Sequence, residues 1–217
     1  MKLIKHRIWH FVVAIVALNI VSPGLVNAQR FSAAVVAGLN ASQIDGDELA
    51  GFDKLGLTGG IKAIVNLESV FDLNVEFLFT QRGSQPDLFN PQYDPDIKIS
   101  LNYAEIPVYV SLGDWWQEED QYHKVSAHAG ISFGRLISSK TFDYYHPSDQ
   151  SLDKFTQYFN NTDLSWLVGA SYRMSKNWGV TGRYTREIIP LLDPKKHNLS
   201  IERLLSYYMT FRMEYYF

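Results

Sequence analysis

Ser126 and His128 lie two residues apart, a spacing that puts both side chains on one face of an extended strand. With Glu76 or Glu105 across a barrel they would supply the serine, histidine and acid of an acyl hydrolase. Their strand sets them inward and low, away from the outer rim where a lipid substrate would lie. No enzymatic activity is expected. His123, His128, His146 and His197 have no metal-ligand spacing, and the chain has no cysteine. Asp45, Asp47, Glu48 and Asp53, with Asp87, Asp94 and Asp96, could gather Ca²⁺ through oxygens, but they do not follow the spacing of a calcium loop. They read as solvated acidic loops, so neither a metal nor another cofactor is expected.

The remaining chemistry is charge at alternating positions. Lys62, Lys124, Arg173, Arg183 and Arg212 share the polar faces of their segments with Asp72, Glu76, Glu105, Glu187 and Glu214. Mixed signs in equal number predict a lumen filled by ion pairs, since an unpaired buried charge costs several kcal/mol. A narrow ion-conducting channel is the alternative use of the same residues.

The elements that carry these charges alternate with period two. Tyr207, Met209, Phe211, Met213, Tyr215 and Phe217 form an apolar face, and Tyr208, Thr210, Arg212, Glu214 and Tyr216 a polar one. Phe71, Leu73, Val75, Phe77 and Phe79 alternate with Asp72, Asn74, Glu76 and Thr80. Eight such segments occur, each near the length of a tilted membrane strand. They predict an all-β fold, an eight-stranded antiparallel up-and-down transmembrane β-barrel with lipid outside and a polar lumen. Ile97 to Leu101 runs out of phase with Ala104 to Val110, so a bulge is expected near Asn102.

Alternation alone cannot tell inside from outside, and a soluble ligand-binding barrel would show it inverted. The terminal Phe217 resembles the C-terminal signal read by barrel-assembly machinery. Trp115, Trp116, Trp178, Tyr215 and Phe217 are placed to form an interfacial belt. Both features favour the membrane.

Lys2, Lys5 and Arg7, an apolar run from Ile8 to Ile20, and Val26-Asn27-Ala28 have the layout of a secretory signal peptide over residues 1–28. The barrel domain would then be residues 29–217, carrying 17 Lys and Arg against 23 Asp and Glu. That acidic balance argues against nucleic acid as a partner. Residues 67–70 and 174–177 read as tight turns and residues 113–122 as a longer one. Longer links near 41–54, 82–96, 138–162 and 189–202 are rich in Asp, Asn, Gly and Pro. With the N-terminus in the periplasm, the long links would face outward. Leu152, Phe155 and Phe159 are spaced for a short helix over the rim or for a piece of core.

Leu55 to Gly60, the run LNVEFLFTQRGS from Leu73, LNYAEIPVYV from Leu101, and TDLSWLVGASY from Thr162 resemble the PorT-like family of outer-membrane barrels of Bacteroidota. The resemblance covers nearly the whole chain after the leader. It implies an eight-stranded barrel among outer-membrane lipid and lipopolysaccharide, inserted by barrel-assembly machinery. It implies no reaction. A structural or surface-interaction role in the envelope is expected. The alternative is an accessory barrel for transport or secretion, working with a partner protein.

Overall fold

The computed structural model describes residues 31–67, 69–87, 96–144, 152–197 and 202–217. The leader lies outside these residues. Eight antiparallel strands close into a barrel in sequence order: β1 (Phe31–Asp45), β2 (Lys54–Asn66), β3 (Phe71–Ser84), β4 (Ile97–Gln117), β5 (Tyr122–Asp143), β6 (Thr162–Arg173), β7 (Trp178–Glu187) and β8 (Leu205–Tyr216). Pairing followed perpendicular to the strands from Phe31 passes Val65, Leu73, Val110, Ala129, Val168, Tyr184 and Met209. It returns to β1 at Ala41, a stagger of ten residues. Such a stagger tilts the strands, as closure of a narrow barrel requires.

Below its upper rim the wall follows the expected pattern. Ile61, Phe77 and Phe211 are each at least 57% exposed, whereas Lys62, Glu76 and Arg212 are at most 6% exposed. Apolar groups at that exposure, repeated round a closed wall, match the lipid face of a membrane barrel. Two aromatic belts bound this band. The lower one holds Phe71, Trp116, Trp178, Tyr215 and Phe217, with the Trp178 and Tyr215 rings 5.0 Å apart and Tyr215 and Phe217 5.4 Å apart. The upper one runs from Trp166 to Tyr184 at 5.4 Å, on to Tyr207 at 6.4 Å and to Phe52 at 5.3 Å. From Phe71 to Phe79 on β3 the band is about 20 Å tall along the barrel axis, close to the roughly 25 Å of an outer-membrane barrel.

Above the upper belt the faces invert. Ile97, Ile99 and Leu101 do not face lipid; they point inward and are at most 1% exposed. With Ile44, Leu49, Tyr103, Phe159, Leu191, Leu192 and Leu204 they form one apolar cluster under the long connections. The outer face at this height carries Lys98, Arg135 and Lys140, all exposed. The bulge falls where expected along β4, but its extra residue is on β5. Asn102 pairs with Ser138 and Tyr103 with Leu136, which leaves Ile137 over. Thus β4 keeps one phase throughout, and its composition changes instead. β4 and β5 also continue beyond the expected turn at residue 113, pairing down to Gln117 and Tyr122. The segment after residue 151 forms a 3-10 helix, Leu152–Tyr158, held to β5 by a Thr156 to Thr141 hydroxyl bond of 3.2 Å, and it ends on the buried Phe159.

Candidate functional site: the barrel interior

Two ion clusters fill the lumen between the belts. The lower one centres on Glu76, whose carboxylate takes two bonds from Arg183 at 2.9 and 3.2 Å and two from Arg212 at 2.9 and 2.5 Å. Tyr109 donates to it as well, at 2.5 Å. Planar guanidinium groups meeting one carboxylate edge-on give the strongest ion pairing available to side chains. Beside it, Glu214 accepts from Lys62 at 3.0 Å, Arg212 at 2.9 Å, Thr181 at 2.7 Å and Tyr216 at 2.5 Å. The backbone makes room for these groups. A Cβ at Gly169 would lie 2.6 Å from His128 Nε2, and one at Gly130 would lie 2.4 Å from Tyr109 Cβ.

The upper cluster centres on Arg82, whose side chain is wholly buried. It lies 2.8 Å from Asp163, 3.2 Å from Glu187 and 3.6 Å from Glu105, with the Tyr103 ring 3.8 Å from the guanidinium. Glu105 also accepts from Tyr208 at 3.0 Å and Thr80 at 3.2 Å, and Glu187 from the Ser206 backbone at 2.8 Å. Between the clusters is a small cavity lined by Glu105, Ser132, Thr185 and Tyr208. The Ser132 and Thr185 hydroxyls there lack a protein partner, and the space suits roughly one bridging water.

Seven of the ten charges named from the sequence meet in these clusters: Lys62, Glu76, Glu105, Arg183, Glu187, Arg212 and Glu214. The other three stand at the turn end. Lys124 lies 5.0 Å from the Trp115 ring, and Asp72 accepts from Asn66 at 2.6 Å. Arg173 covers the Tyr122 and Tyr216 rings at 4.7 and 4.0 Å and donates to the Lys176 carbonyl. Sequence reasoning missed Arg82 and Asp163. Arg82 continues the inward phase of Asp72 to Thr80 by one more step, and Asp163 precedes the inward Ser165 by two. Reading the strands one pleat longer would have found both.

The His128 side chain is engaged by groups other than Ser126. The His128 Nε2 accepts from Arg183 at 3.4 Å, and its ring lies 5.0 Å from that of Tyr109. Gly130 to Gly134 reads Gly-Ile-Ser-Phe-Gly, the spacing of a nucleophile elbow, yet it sits within β5 and not at a strand-to-helix turn. Its serine, Ser132, points into the lumen and is 1% exposed. Among the described residues no His, Asp and Glu cluster has metal-binding geometry, and no helix is long and apolar enough to cross a membrane.

A closed eight-stranded wall with an apolar band between two aromatic belts, round an ion-paired interior, defines an integral membrane β-barrel. The profile of the outer membrane protein beta-barrel domain family matches residues 26–193, and the chain belongs to that family. It resides in the outer membrane. No curated protein matches the chain. Among solved structures it is similar to neisserial surface protein A, at 13% identity and TM-score 0.48, over 84% of this chain and 96% of that one. It is also similar to the attachment invasion locus protein of Yersinia pestis in complex with the heparin analogue sucrose octasulfate, at 13% identity and TM-score 0.44, over 87% and 99%. OprG of Pseudomonas aeruginosa follows at 10% identity and TM-score 0.39, over 87% and 97%. At these values no role transfers from them to this chain.

Proposed function

We propose that the protein is a non-enzymatic, closed-lumen outer-membrane barrel, serving envelope structure or surface interaction through its long connections. The observation that carries this is a lumen blocked twice, by charge between the belts and by Ile97, Ile99, Leu101 and Tyr103 above them. Buried ion pairs hold a narrow barrel shut, because hydrated passage would have to break them. Residues 1–28 serve as its export signal, Phe217 as its assembly signal, and the long connections face outward among lipopolysaccharide. Membership of the PorT-like family of Bacteroidota is the finer assignment. The resemblance at Leu101 to Val110 supports it, and with it the second reading of an accessory barrel for secretion that works with a partner protein. Single-channel recording of refolded protein tests the closed lumen. A flat baseline is expected, and steady cation-dependent openings would overturn the proposal.

A further inference from the structure

Just above the upper belt, one side of the outer wall differs from the other. On β4 and β5 the outward positions are Lys98, Ser100, Asn102 and Ala104, then Phe133, Arg135, Ser138, Lys140 and Phe142, with Ile137 bulged beside them. Three cations stand there with no carboxylate between them; Asp96 lies one pleat above. Lys98 pairs with Phe142 and Ser100 with Lys140, so Lys98 and Lys140 are diagonal neighbours, about 7–8 Å apart at the backbone. Arg135 sits two residues above Phe133 and donates to Thr162 at 3.3 Å. None of these three cations is ion-paired to another described residue. Across the barrel at the same height, Arg186 is paired with Asp45 at 3.1 Å.

We propose that Lys98 and Lys140 together, and Arg135 apart from them, hold the phosphates of a lipid headgroup in the loop-end leaflet. Two features favour a lipid over a free anion. The cations are interleaved with Phe133, Ile137 and Phe142, which are 49%, 59% and 47% exposed, so the surface matches a ligand with both phosphate and acyl chain. They also stand on the loop side of the apolar band, where headgroups begin. A phosphate between the Lys98 and Lys140 ammonium groups gains charge-assisted hydrogen bonds that surface water would otherwise supply. Arg135, opposite Ala104 six residues along β4 from Lys98, stands apart for a second phosphate of the same headgroup.

The proposal rests on the outer-membrane placement but not on the closed lumen, which conductance tests separately. Wild-type barrel in detergent micelles is mixed with lipid A and phosphatidylcholine, and retained lipid is counted by native mass spectrometry. Wild type should keep lipid A preferentially, and the K98Q/R135Q/K140Q variant should lose that preference at least tenfold. R186Q should behave as wild type. The single variants K98Q and K140Q serve if the triple variant fails to give a heat-shifted band on a denaturing gel. Unchanged lipid A retention in the triple or both single variants would overturn the proposal. So would equal loss in R186Q, or displacement of lipid A by excess inorganic phosphate.

Discussion

Between the aromatic belts the barrel is apolar outside and ionic inside; above the upper belt its outside mixes cations with apolar side chains and its inside is apolar. The same strands run through both regions without changing phase on β4, where Glu105 and Tyr109 face inward in one and Ile97 to Leu101 alternate inward in the other. The solvent outside decides which interior is needed. Lipid takes the apolar side chains, so the lumen between the belts must be held by hydrogen bonds and ion pairs. Where water meets the wall, burying Ile and Leu inside is again favourable at about 25 cal/mol per Å², and an ordinary hydrophobic core forms. The two interiors are stabilised by different forces, so they should respond to different perturbations.

The largest effect is expected in the lower region. Glu76→Gln leaves Arg183 and Arg212 sharing no carboxylate at their meeting point, and breaking a buried ion pair in this way costs about 3–5 kcal/mol. Urea unfolding in lipid vesicles should show that loss, whereas Leu101→Ala should leave the ionic section in place. Leu101→Ala instead opens a cavity in the upper core, at a cost of about 2–4 kcal/mol. Its signature should be faster proteolysis of the long connections, with the heat-shifted gel band retained.

Much of the lower region was legible in the sequence, because alternation over Phe71 to Thr80 and Tyr207 to Phe217 records two solvents at once. The upper region was not. Ile97, Ile99 and Leu101 have the residue types of a lipid face, and periodicity carries no label for inside or outside. The shift in pattern at Asn102 was visible, but it was a change of solvent as well as a bulge. Arg82 and Asp163 escaped because they lie at this boundary, one pleat past the ends assigned from apolar alternation. The closing of the lumen by Phe159, Leu191 and Leu204 comes from separate connections, a juxtaposition no local pattern encodes.

The upper core also holds a pH-sensitive group. Asp47, in the connection after β1, is 1% exposed; burial pushes its carboxyl up to about 6, aided weakly by Asp45 and opposed by bonds from Ser84 and the Leu49 backbone. One of its oxygens has no partner. The folded state therefore holds this proton more tightly than the unfolded chain, whose carboxyl titrates near 3.8. Stability should fall as pH rises from about 4 to about 6 and then level off, by at most about 2–3 kcal/mol. Asp47→Asn should flatten that dependence in proteolysis of the connections measured across the same range. The smallest effect belongs to the outer wall, where Arg186→Gln removes an exposed pair and should cost under about 1 kcal/mol in the same unfolding assay.

The inversion of the wall is tested most directly by where water begins on its outer face. The chain has no cysteine, so single spin labels can be placed cleanly at Phe77→Cys, Gln81→Cys, Asn102→Cys and Phe211→Cys in reconstituted protein. Labels at 77 and 211 should be accessible to oxygen dissolved in lipid. Labels at 81 and 102 should be accessible to a water-soluble nickel complex. If 81 and 102 report lipid as 77 and 211 do, the upper wall lies within the membrane, and the boundary drawn at the upper aromatic belt is wrong.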